Sequence, residues 1–160
     1  MGRSAVKLSR LLAVVTPLFL ISACAGGEEL ATVQASSVVG TWSEPSGGLI
    51  SLREDHTFEV SGLEVKSQIY DDCPDGSGGG SWGFFVDEGK VGGSVFVSKK
   101  ATSGNSLGLT FEGVPQGGCE VSLNVVDGGK ALCASDDPDL PCGLDIRLTR
   151  AESAKEPSEP

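Results

Sequence analysis

Between residues 50 and 148, large apolar and polar side chains repeatedly alternate with a period of two, and this pattern restricts the fold more than any other feature. Phe58 and Val60 alternate with Thr57, Glu59 and Ser61. Leu107, Leu109 and Phe111 alternate with Gly108, Thr110 and Glu112, and Val121, Leu123 and Val125 with Glu120, Ser122 and Asn124. Ile50 and Leu52, and later Leu144, Ile146 and Leu148, repeat it. A segment with one apolar and one polar face is an antiparallel strand half buried against a core. Further strands are expected at 38–43, 64–70, 81–87 and 94–98, and at 130–134, where a hairpin forms with 121–126. Acidic or glycine-rich turns separate them: Asp55-His56, 75–80, Glu88-Gly89, Ser103-Gly104-Asn105 and Asp127-Gly128-Gly129. No segment after residue 24 carries a helical stripe. The expected fold is all-β: a small antiparallel meander barrel of about 8–10 short strands, with an open sandwich as the alternative.

The N-terminus sets the compartment. Arg3, Lys7 and Arg10 precede the apolar run LLAVVTPLFLI, a basic and then an apolar region in the manner of a secretory signal. The run is shorter than the roughly 20 residues of a spanning helix. Ile21-Ser22-Ala23-Cys24 resembles the lipobox of bacterial lipoproteins. That resemblance implies cleavage before Cys24, diacylglycerol on its thiol, and a protein held by acyl chains on the outer face of the cell membrane. Ala25 follows, so no acidic retention signal of the Gram-negative type is read. The expected organisation is a signal peptide at 1–23, a lipid anchor and spacer at 24–36, a barrel at 37–150 and a disordered tail at 151–160.

All 22 acids follow Cys24, together with 9 of the 12 bases, so the mature chain carries 9 − 22 = −13. Such a surface repels nucleic acid and anionic head groups and leaves open a cationic partner. Four cysteines remain: Cys73, Cys119, Cys133 and Cys142. An even count in an exported chain argues for two disulfides, with three connectivities possible. In the hairpin around 127–129, Cys133 is expected opposite Leu123, too far from Cys119 for a bridge. The preferred pairs are Cys133–Cys142 and Cys73–Cys119. No paired C-x-x-C spacing occurs, and His56 is the sole histidine, which disfavours zinc.

Val39-Gly40-Thr41-Trp42, the strand GLISLRE, a tight turn and HTFEVSG resemble the opening of calycin-type barrels. In lipocalins and avidin-like proteins a G-x-W strand begins the barrel and its Trp plugs the closed end. As a whole the chain is most similar to small lipoproteins of actinomycetes. Later lipocalin signatures and the C-terminal helix are missing, so the family's ligand residues do not carry over. A second G-x-W, Gly80-Ser81-Trp82, suggests a half-barrel repeat.

Candidate chemistry is sparse. Two G-x-S-x-G strings, around Ser81 and Ser106, lack the following helix of a nucleophile elbow and read as strand entries. His56 reads as a turn residue. The carboxylates Asp71, Asp72 and Asp75, and Asp136, Asp137 and Asp139, flank disulfide cysteines and form a weak calcium candidate without EF-hand order. Trp42, Phe58, Trp82, Phe84, Phe96 and Phe111 are expected in the core, while Phe85 points outward and can form a contact patch with Tyr70. No cofactor is called for and no ligand-binding residue is identified. The expected function is a non-enzymatic binding module for a small apolar ligand. The alternative is a protein-interaction or inhibitor module with a filled core, acting through loops or an exposed strand face.

Overall fold

The computed structural model describes residues 28–65, 69–89, 94–137 and 140–151. Its strands, in chain order, are β1 (Val33–Gln34), β2 (Gly40–Ser43), β3 (Leu49–Leu52), β4 (Thr57–Ser61), β5 (Ser77–Asp87), β6 (Val95–Ser98), β7 (Ser103–Gly104), β8 (Ser106–Phe111), β9 (Val121–Val126), β10 (Ala131–Ser135) and β11 (Arg147–Arg150). One helical turn, α1 (Ala35–Val38), precedes β2. The order β4-β3-β2-β11-β10-β9-β8-β5, with β4 also paired to β5, closes an eight-stranded antiparallel barrel, and β6 is an extra strand on β5. Closure leaves the barrel strands themselves without open edges.

Because the strands alternate in direction, the connections sort onto two ends. The β3–β4 and β9–β10 turns, the β5–β6 hairpin and the segment from residue 28 through α1 lie at one end. The β2–β3, β4–β5, β8–β9 and β10–β11 loops lie at the other. Long β5 serves both: residues 77–81 pair with β4, 80–84 with β8, and 84–87 with β6 beyond the barrel ring.

The expected strand at 64–70 is corrected. Glu64, Val65, Ile69 and Tyr70 are not in strand, and residues 66–68 lie outside the described ones. β4 pairs instead with Ser77–Ser81, most of which had read as a glycine turn. The glycines belong there for lack of room. A Cβ on Gly79 would come within 3.1 Å of the Phe58 carbonyl, and one on Gly80 would run into the Thr110 carbonyl. Gly80→Ala is therefore expected to lower stability by about 1–3 kcal/mol. A urea midpoint within error of the parent would show that β5 and β8 are not so close.

Five smaller differences remain. The strand expected at 38–43 begins at Gly40, because α1 turns Val38 inward as a plug. Cys133 pairs with Asn124, not Leu123. Asp127, Gly128 and Gly129 take positive φ, which lengthens the turn to four residues and slips the register by one. The final strand is Arg147–Arg150 and does not begin at Leu144, since Asp145 has φ 55° and interrupts it. Phe96, expected in the core, is 46% exposed because β6 lies off the barrel. The segment read as spacer also joins the body: Ala31, Val33 and Ala35 pack on the core and β1 pairs with β7. Of the expected tail only Ala151 is among the described residues.

Candidate functional site: a sealed end and an acidic end

Trp42 closes the end that carries the N-terminal segment. Its side chain is 0% exposed, and its Nε1–H donates to the Val38 carbonyl at 2.8 Å. The Arg150 guanidinium stacks over the indole, 4.2 Å from its centroid, a favourable cation–π contact. The same group donates to the Val39 carbonyl at 2.5 Å and to the Ser37 carbonyl. Gly40, at φ 127°, leaves the space into which Arg150 reaches. Burial draws this guanidinium below its ordinary value. Arg150 was missed from sequence; its only signal was a base at the end of the last apolar alternation.

Above Trp42 the interior is solid. Ile50, Leu52, Phe58, Trp82, Phe84, Leu107, Leu123, Val125, Leu132 and Leu148 are each 1% exposed or less and belong to one contiguous cluster. Phe58 meets Phe111 edge-on at 5.1 Å, and Trp82 meets Phe84 likewise at 6.0 Å. Walls of a hollow calyx would be accessible to water from inside; these side chains are not.

The second G-x-W tryptophan is also internal, and its Nε1–H donates to the Arg53 carbonyl at 3.1 Å. His56 sits in the β3–β4 turn at φ 62°, the conformation in which glycine would be usual, and its ring lies 4.5 Å from that of Trp82. Its Nδ1 is buried and makes no hydrogen bond with the protein. In the same turn the Thr57 hydroxyl and amide hold the Asp55 carboxyl below its usual value. Ser81 and Ser106, from the two G-x-S-x-G strings, are strand residues opposite Thr110 and Asn124, and neither leads into a helix.

The other end carries the charge. Among the described residues its four loops, within 44–48, 62–76, 112–120 and 136–146, hold ten acids and no lysine or arginine. Cys73–Cys119 ties the second loop to the third, with Cα atoms 4.8 Å apart. Tyr70 donates to Glu120 Oε2 at 3.2 Å; burial and then the Glu120 charge push its phenol up. Glu44, Ser46, Gly62 and Glu64 line a shallow cleft of about 370 Å³. Asp71, Asp72, Asp75, Asp136 and Asp137 all belong to this end, whereas Asp139 lies outside the described residues. Among the described residues no three His, Cys, Asp or Glu side chains gather as a metal site would require.

Cys133–Cys142 instead fixes a loop to the outer wall. The 140–145 stretch covers β9 and β10, Asn124 Nδ2 donates to the Pro141 carbonyl at 3.0 Å, and Ser135 Oγ donates to the Asp137 carbonyl at 2.7 Å. Both faces of Ala131–Ser135 are buried in consequence. Phe85 lies elsewhere, 37% exposed, with Val97 above Gly108, so it and Tyr70 are held by different neighbours. Cys24 lies outside the described residues, and among those described no helix is long and apolar enough to cross a membrane. Comparisons with protein-family models, curated proteins and solved structures returned no match for this chain.

Proposed function

We propose that this chain is a lipoprotein, anchored to the outer face of a bacterial cell membrane through Cys24, whose barrel is a non-enzymatic interaction module. The observation that carries the reading is the filled interior, sealed at one end by Trp42 and Arg150. Sequence alone favoured a small apolar ligand held within the barrel, and the packed core supports the alternative, in which function resides on loops or an exposed strand face. The acidic loops are the favoured working surface, since Cys73–Cys119 holds two of them in place and their charge selects a cationic partner. The lipobox sequence supports the anchor, and the Trp42 plug supports kinship with calycin-type barrels such as those of actinomycete lipoproteins.

Native mass spectrometry of residues 28–160, expressed in an oxidising compartment, tests the filled core. The expected result is a bare mass lacking the four thiol hydrogens of two disulfides. Extra mass that disappears on denaturation would reverse the preference and restore the ligand carrier. For the anchor, Cys24→Ser is expected to move the protein from the membrane pellet to the supernatant. Detergent-dependent pelleting that persists in this variant would rule out lipid on Cys24.

A further inference from the structure

The two disulfides differ in what surrounds their sulfur atoms. Cys73–Cys119 lies among carboxylates: Asp71, Asp72 and Asp75 flank one cysteine in the chain, and Glu120 follows the other. Cys133–Cys142 has a cation against it. Arg147 stands opposite Cys133 in the β10–β11 pairing, and its Nη1 donates to Cys133 Sγ at 3.6 Å. The guanidinium is fixed there by two anions, since Nη1 also meets Glu28 at 2.6 Å and Nη2 meets Asp127. Asp136, Asp137 and Asp145 belong to the same loop, and the charged group in contact with the sulfur is Arg147.

The two sulfurs of this bridge are also unequal in access. Cys133 is 0% exposed, in the small cluster with Val126 and Ala131, whereas Cys142 is half-buried. A thiolate from outside therefore meets Cys142, and Cys133 is the leaving sulfur. Exchange is faster when the leaving thiolate is more stable, and an adjacent cation gives that stability. The segment that carries Cys142 has attachments of its own. Asn124 Nδ2 donates to the Pro141 carbonyl at 3.0 Å, and Leu144 N–H donates to the Ala134 carbonyl at 3.1 Å. They keep the two thiols side by side once the bridge opens, so that it can close again.

We infer that Cys133–Cys142 is a redox-active disulfide, which exchanges with a dithiol through Cys142 and holds the Cys133 thiolate against Arg147. In the first step a thiolate of the dithiol attacks Cys142 Sγ, whose bond to Cys133 Sγ breaks, and the electron pair leaves on Cys133. In the second, the other sulfur of the reductant attacks the mixed disulfide as a thiolate, and Cys142 leaves. The protein's disulfide is reduced to two thiols, the dithiol is oxidised to a disulfide, and its two protons end on Cys133 and Cys142. Cys73–Cys119 takes no part. The carboxylates around it oppose both the incoming and the departing thiolate, so it stays as a structural brace.

The test treats the full-length chain, with both disulfides formed, with dithiothreitol while near-ultraviolet circular dichroism reports an intact barrel. Alkylation followed by peptide mass dates the opening of each bridge. Cys133–Cys142 is expected to open at least about tenfold faster than Cys73–Cys119. With mercaptoethanol in place of the dithiol, its adduct is expected on Cys142 and the alkyl group on Cys133. Arg147→Gln is expected to slow the opening about fivefold, and Arg147→Lys, which keeps a cation, to retain most of the parent rate. A merely loosened fold has the opposite sign, since it speeds reduction of both bridges. Opening of Cys73–Cys119 first, or of both bridges together, would overturn the proposal. So would a mercaptoethanol adduct on Cys133, or an Arg147→Gln rate equal to or above the parent's with an unchanged dichroism spectrum.

Discussion

Trp42→Ala is expected to lower the stability of the barrel by about 3–5 kcal/mol, the range for truncating a buried tryptophan. Three losses coincide. The indole is 0% exposed, so a cavity opens at the sealed end. Val38, itself 1% exposed, loses the hydrogen bond its carbonyl accepts. Arg150 loses the ring beneath it while remaining bound to the carbonyls of α1 and its C-cap. Small domains retain only about 5–15 kcal/mol in total, so this variant stands near the limit of folding. Trp42→Phe keeps most of the volume and loses the Nε1 donor, and its cost should be visibly smaller. Arg150→Lys should also weaken the site, because an ammonium cannot stack and hydrogen-bond as the planar guanidinium does. Urea unfolding of the two single variants, Trp42→Phe and Arg150→Lys, and their double measures the coupling. Additive losses would mean that the stacking is incidental and that Trp42 acts by volume alone.

The parts of this fold that were legible in sequence are those where one face meets the core and the other meets water. Phe58 and Val60 are such a place, and Leu107 to Phe111 and Val121 to Val125 read as such because their outer residues are polar or glycine, although Gly108 and Asn124 are covered; each is a barrel strand in the expected orientation. The reading failed where the pattern has no carrier or a distant segment erases it. Gly78, Gly79 and Gly80 have no side chains to alternate, yet they form a strand because their neighbours leave space for nothing larger. Ala131–Ser135 is buried on both faces because a loop from residues 140–145 lies over it, a tertiary event outside any local window. The slip at Cys133 came from left-handed backbone at Asp127, a residue type that visits that region only sometimes. The disulfide partners were still correct, since either register holds Cys133 apart from Cys119. For the candidate site, the acids were plain in sequence but their gathering at one end was not. The described residues of the 44–48, 62–76, 112–120 and 136–146 loops become neighbours only through barrel closure. Arg150 was invisible for the same reason: its partners, Ser37, Val39 and Trp42, are more than a hundred residues earlier.

Removal of Cys73–Cys119 by alanine at both positions is expected to cost about 4 kcal/mol, and removal of Cys133–Cys142 about 2.5 kcal/mol, from the loop-closure entropy of their 46- and 9-residue separations. The order matters more than the values. Cys119 also packs in the main core at 7% exposure, which adds a small cavity to the first loss. Cys133 belongs to the lesser cluster with Val126 and Ala131 outside the barrel wall, so its loss should free the 136–146 loop and leave the core intact. Amide hydrogen exchange separates the two effects. Without Cys73–Cys119, protection should fall in residues 69–76 and 112–120 and change little at β2 and β11 beside Trp42. On the interaction surface proposed above, binding of a cationic partner should then weaken before the barrel unfolds, because the bridge orders the two loops that present Asp71, Asp72 and Glu120. Should the Cys133–Cys142 variant prove the less stable, covering of β9 and β10 by the loop would outweigh chain entropy. The stability of this barrel would then reside in its doubly buried wall, with the acidic end a surface free to vary.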